Sequence, residues 1–139
     1  MSARKNASTN LCSHPEALAR LAQARRFAEV ATLCVEDRFD ETLAHVAAAL
    51  AVLAGIAAVD AACCAKLKQR SRGQNHHDAE DLVATIHPNG SNMAKDLRRL
   101  LNEKDNAHYG VMLVNRSTAE KMVGWAHRLI DFADGIVAS

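Results

Sequence analysis

The sequence predicts an all-α fold, a single-domain up-and-down bundle of about five helices, and three observations carry that prediction. From Val46 to Val59 fourteen apolar or glycine residues follow one another without a polar interruption, and a helix that is apolar on every side has to be wrapped by other helices. The other long segments repeat their apolar residues at helical spacing on one face only, as wrapping helices would. Finally, 49% of the residues are hydrophobic but only 4% are aromatic, with six glycines and two prolines. The apolar mass is therefore Ala, Leu and Val, a composition that favours helix over sheet.

A chain of 139 residues suits one domain and can bury roughly two-thirds of its unfolded surface. Residues 1–13 combine positive charge with no apolar run, so they read as a flexible tail rather than a secretory leader; residues 14–139 form the bundle. The net charge is +1 with a pI near 7.8. That balance gives no global attraction to nucleic acid or anionic membrane and no DNA-specific signal, so any such binding needs a local patch.

Ser13-His14-Pro15-Glu16 opens the first helix. Ser13 and Glu16 make a capping box, and Pro15 sits in the first turn, where its missing N–H costs nothing. Leu18, Leu21, Ala22, Ala28 and Val35 are its expected inward stripe, which lapses near Glu36. Asp37 or Asp40 then caps the second helix. That helix is expected to run to Gly73, with Lys66, Lys68, Arg70 and Arg72 offsetting the negative end of its dipole. Gly55 in its middle costs ~1 kcal/mol against alanine, which points to another helix crossing closely there.

A short third helix follows over about Asn75 to Ile86, with Ala79, Leu82, Val83 and Ile86 inward, and Pro88 stops it. The fourth starts at Ser91 or Asn92. It carries Met93, Leu97, Leu100 and Leu101 inward, and Lys95, Arg98, Arg99 and Glu103 outward. VMLVN, residues 111–115, reads as an extended connector because no other segment offers it a strand to pair with. Ser117 to Glu120 forms a second capping box, opening a last helix whose inward residues are Ala119, Met122, Val123, Ala126, Ile130, Ala133 and Val137.

Cys12, Cys34, Cys63 and Cys64 show no CxxC spacing, and adjacent helical residues point about 100° apart. They are expected as small buried thiols in a reducing, cytoplasmic setting. The 46–65 run approaches the length of a membrane span, but Asp60 interrupts it and alanine dominates it, so no membrane partner is expected.

The polar chemistry gathers around the basic end of the second helix. Asp60 lies in an apolar helix and needs a partner, because an isolated buried carboxylate is very costly. Lys104, Arg72, His76 and Tyr109 are the candidates. The arrangement is either a structural charge that sets helix register or a pocket for a ligand. Arg–His pairs with four to six residues between them, a spacing common by chance, occur at Arg38/His45, Arg70/His76, Arg70/His77 and Arg72/His77. In the last three, histidine could accept a proton from a ribose 2′-hydroxyl while arginine steadies the phosphorane. Tyr109, the only tyrosine, either plugs the space under the connector or joins the pocket. Among His76, His77, Asp78, Asp81 and His87, His77 and Asp81 are four apart on one helical face and could hold a metal, but His76 and His77 diverge and no cysteine lies near; no metal or cofactor is expected.

Ala58-Val59-Asp60-Ala61, Arg72-Gly73-Gln74-Asn75-His76 and Lys104 to Tyr109-Gly110, in this helix order, resemble the small HEPN-like helical bundles of actinobacteria. The likeness spans about Leu18 to Val137. It implies a bundle that forms homodimers, in a superfamily containing both metal-independent ribonucleases and non-catalytic members that bind RNA, nucleotides or partner proteins. Ribonuclease members carry Arg-Asn-x-x-x-His in the late helical segment. Here that segment reads Glu103-Lys104-Asp105-Asn106-Ala107-His108, with lysine for arginine and a spacing one residue shorter, and lysine cannot clamp a phosphate with two parallel hydrogen bonds. The leading expectation is thus a non-catalytic binding or regulatory protein with a pocket of Asp60, Arg72, His76, Lys104 and Tyr109. It would engage RNA, a nucleotide or a toxin–antitoxin partner. The alternative is a weak metal-independent endoribonuclease, with His76, His77 or His108 as base and Arg72 or Lys104 on the phosphate.

Overall fold

A computed structural model describes residues 9–72 and 76–139. The helices are α1 (His14–Glu36), α2 (Glu41–Leu67), α3 (His76–Ala84), α4 (Gly90–Asn102), the six-residue α5 (Lys104–Tyr109) and α6 (Arg116–Val137). Two three-residue strands, β1 (Thr9–Leu11) and β2 (Gln69–Ser71), pair antiparallel with Asn10 opposite Arg70. The described residues form an all-α bundle of five longer helices and one short one, with this small ribbon at one end.

The central helix is α2. Every residue from Ala57 to Cys64 is buried, and α1 and α6 take most of its surface. By length and composition α2 could pass for a membrane span, but 72% of its most apolar window is buried inside the bundle. Its wrapping is incomplete at the N-terminal half, where Val46 and Leu53 keep more than a third of their surface exposed.

The seam of α1 differs from the expected stripe. Ala17, Leu21, Ala24, Ala28, Ala31 and Val35 are buried, whereas Leu18 is 49% exposed and Ala22 is exposed too. Their alternating spacing of four and three is the seam of closely paired helices, and the small alanine side chains let α1 lie close to alanine-rich α2. Hydrophobicity alone favours Leu18 for the seam; close approach selects Ala17.

Gly55 is where α2 meets α4 and α6. A Cβ there would overlap Leu100 and come within 3.3 Å of Leu129, so the close crossing expected from this glycine is present. The Ser13–Glu16 capping box is formed, with Pro15 in the first turn. All seven expected inward residues of α6 are buried.

Three boundaries differ. First, α2 ends at Leu67, not Gly73: Lys68 takes the left-handed cap conformation at φ 60°, and the chain then extends into β2. Gly73 itself, with Gln74 and Asn75, lies outside the described residues. Second, α6 is capped by Asn115, whose side chain accepts from the Thr118 N–H, so the Ser117 box is already inside the helix. Third, the tail expected over residues 1–13 includes a structured part, because Thr9–Leu11 pairs with β2 and the Cys12 N–H donates to the Lys68 carbonyl.

Cys12 is also joined to Cys64 by a disulfide, which corrects the reading of all four cysteines as thiols. The divergence of neighbouring helical positions explains it: Cys64 faces the strand that delivers Cys12, while Cys63 remains a buried thiol. Burial, and after it the charge of Asp60, pushes the Cys63 thiol up to about 12.

The connector 111–115 forms no strand. It is tied at Val114, whose N–H donates to His45 Nδ1 at 2.9 Å. Arg116 follows and donates to the carbonyls of Val35 and Asp37. It thus supplies the cation that the last turn of α1 lacks.

Candidate functional site

Among the described residues three carboxylates are buried, Asp60, Glu80 and Asp96, and each is met by arginine. Asp60 is 6% exposed. Its hydrogen-bonding partner is a residue the sequence did not nominate: Arg20 of α1 donates to Asp60 Oδ2 from Nε at 3.1 Å and from a terminal nitrogen at 2.8 Å. Arg20 lies between Ala17 and Ala24 on the flank of the α1 seam, so its stem packs along the interface while its head reaches the carboxylate. Burial, the largest influence, raises the Asp60 pKa above its ordinary value. The Arg20 hydrogen bonds and charge, then Arg70 and His76, act against that rise without cancelling it.

Glu80 accepts from Arg98 Nε at 2.8 Å and lies 2.6 Å from His77 Nδ1. His77 is exposed, but its ring is directed onto its own helix by this contact. Asp96 is fully buried and is gripped by Arg99 and by both Nε and a terminal nitrogen of Arg128. Sequence reasoning missed both acids. The available signal was position: Glu80 sits beside inward Ala79 and Val83, and Asp96 falls on the Met93–Leu100 stripe.

Of the nominated pocket residues, His76 feels the charges of Lys104 and Asp60, as well as that of His108, and Asp60 feels those of Arg70 and His76. His76 begins α3 and Lys104 begins α5. The His76 pKa is lowered, first by burial, then by the charge of Lys104, with His77 and His108 acting in the same direction and Asp60 against. Its imidazole is accordingly neutral at pH 7 and able to accept a proton or a hydrogen bond. Among the described residues, neither His76 nor Lys104 holds a direct hydrogen bond or ion pair.

His108 sits one turn further along α5. Its Nε2 lies 3.1 Å from the Ala49 carbonyl, so that nitrogen carries the donated proton and Nδ1 is left over. Tyr109 packs edge-on against His108 at 6.0 Å between ring centres but is 77% exposed. It is not a plug beneath the connector, because the connector leaves α5 and turns towards His45. Arg72 is exposed, follows β2 directly and engages in an interaction of its own. Arg38 is exposed at the α1–α2 turn, while His45 is turned to Val114, so that Arg–His pair makes no joint site.

The result is a polar group centred on His76 of α3, which feels the charges of Asp60 on α2 and of Lys104 and His108 on α5. It consists of a carboxylate neutralised from one side by Arg20, and of His76, Lys104 and His108 with donor or acceptor capacity left. Such a group can bind an anion by charge and hydrogen bonding, and can exchange a proton at a neutral imidazole. Comparison with protein-family models and with curated proteins finds no match for this chain.

Proposed function

We propose that the protein is a small non-catalytic binding module of the HEPN-like kind, and that its His76–Lys104–His108 cluster engages a phosphate of RNA or of a nucleotide. The observation that carries this reading is the pairing of Asp60 with Arg20. With its carboxylate already satisfied, Asp60 does not consume Lys104 or His76, and their donors are left for a ligand. Arg70 adds positive charge that reaches Asp60, and exposed Tyr109 offers a ring face on which a base could stack.

The binding reading is tested by fluorescence anisotropy of a labelled single-stranded oligoribonucleotide. Removal of one charge-assisted hydrogen bond in Lys104→Gln or His76→Ala should weaken binding by about tenfold or more. A wild-type protein that does not bind, or variants that bind equally well, would refute it.

The alternative, a metal-independent endoribonuclease, draws support from one feature: a neutral His76 beside a cation has the protonation state that a general base needs. The binding reading expects RNA to remain intact when incubated with the protein in EDTA. Cleavage that disappears in both His76→Ala and Arg72→Ala would make the enzyme the better reading.

We also propose pairing of two copies. In its favour, Phe39, Val111 and Met112 are each more than 70% exposed, and the Arg116 and His45 contacts hold the two segments bearing them at one end of the bundle.

A further inference from the structure

A second polar site lies between α4 and α6 and shares no residue with the His76 group. A cleft of about 490 Å³ opens there, lined by Asn92, Met93, Lys95, Arg99, Arg128 and Asp131. Beneath it is Asp96, with no exposed surface, held by both arginines at 2.8 to 3.0 Å. Arg99 is further fixed by lying over the ring of Trp125, 5.9 Å from its centre.

The charge count at this site exceeds what the fold requires. One guanidinium with two hydrogen bonds neutralises one buried carboxylate, and Arg128 alone makes that pair. Arg99 is a second cation on the same acid. Lys95, which is exposed and makes no ion pair among the described residues, is a third at the same opening. Asp131 is the one carboxylate in the lining. Each arginine spends only part of its five N–H donors on Asp96, and both heads remain about half exposed. Their remaining donors are therefore held at a solvent-filled cleft by a buried anchor, with little side-chain freedom left to lose on binding.

We infer that the α4–α6 cleft is a binding site for a phosphate group, carried as free phosphate or as a small phosphate monoester, with Lys95, Arg99 and Arg128 as its ligands. Planar guanidinium donors held in place suit tetrahedral oxyanions, which they bind through paired hydrogen bonds. Asn92 adds a neutral amide at the rim. Arg99 couples the site to Trp125, the only tryptophan in the chain, so occupancy has a built-in optical reporter.

The test is a titration with inorganic phosphate and, separately, with a nucleoside monophosphate at constant ionic strength, followed by Trp125 fluorescence, with chloride as the control. A saturable change in the wild-type protein that needs about tenfold more ligand in Lys95→Gln is expected. Calorimetry on Arg99→Gln, which keeps Arg128 on Asp96, should give the same weakening. Lys95→Gln alters only a surface side chain, so it decides the matter even if Arg99→Gln does not fold. Saturation by the monophosphate alone identifies an ester as the natural source; saturation by both identifies the phosphate group itself. No saturable response beyond chloride, or undiminished affinity in Lys95→Gln, overturns the assignment.

Discussion

Arg20 and Asp60, forty residues apart, form the hinge of charge between α1 and α2: two guanidinium nitrogens converge on one carboxylate oxygen at 3.1 and 2.8 Å. Removing the cation strands the anion. Arg20→Ala should destabilise the protein by about 3 kcal/mol at neutral pH, the lower end for breaking a buried pair, because Arg20 is partly solvated. Asp60 has a folded pKa above its ordinary 3.8, so between that value and the folded one the native state binds more protons than the unfolded state. Its contribution therefore becomes more favourable as pH falls through the folded value and is complete below 3.8. Without Arg20 the folded value rises further. Urea unfolding should then show a deficit in Arg20→Ala that is large at about pH 7 and smaller near about pH 4. A deficit independent of pH would contradict the pairing.

Lys104 lowers the pKa of His76 across the α3–α5 gap, second only to burial. In Lys104→Gln the His76 ring should titrate at higher pH than in the wild type, as read from its Cε1–H resonance. The sign for stability follows: a histidine whose folded pKa is lowered costs stability once pH falls below the ordinary 6.5 and through the folded value. Lys104→Gln should reduce that acid-side loss. An unmoved His76 titration would place the two side chains too far apart to share a ligand.

The Cys12–Cys64 disulfide spans 52 residues and fastens β1 to the end of α2. Under denaturing, non-reducing conditions two thiols, Cys34 and Cys63, should react with a thiol reagent, and all four cysteines should react after reduction. Cys12→Ser should lower stability by about 2–4 kcal/mol through the loss of loop closure. Four reactive thiols before reduction would contradict the pairing.

Gly55→Ala should destabilise by about 1–3 kcal/mol, despite alanine's better helix propensity, because the new methyl meets Leu100 and Leu129 at the α2 crossing. A companion change, Leu100→Ala, should recover part of the loss if the overlap is its cause. Thermal unfolding of the single and double variants is the check.

The bundle was legible in the sequence because its signals are one-dimensional. Fourteen apolar residues without a break need wrapping, and the α6 spacing, the Ser13 box and Gly55 each depend on neighbours close in the chain or on sheer bulk. What escaped reading depends on partners remote in sequence. Arg20 meets Asp60, Arg128 meets Asp96 and Cys12 meets Cys64 only after the helices are packed, and nothing local distinguishes Arg20 from Arg25 or Arg26. The end of α2 was misplaced for a related reason. Lys68 adopts a left-handed cap that glycine would ordinarily signal, because the following residues are held in an antiparallel pair with β1. At the candidate site the need of Asp60 for a partner was legible from its apolar helix, but the bond that settles the carboxylate comes from α1.

The central claim is that His76, Lys104 and His108, left unspent by Asp60, form a ligand site. Titrating a short single-stranded oligoribonucleotide into the isotopically labelled protein and following the histidine ring resonances tests it most directly. The His76 and His108 signals should move together and saturate, those of His14 and His87 should stay in place, and the oligonucleotide should be recovered uncut. Saturable binding that leaves His76 and His108 unmoved, or no binding, would contradict the account.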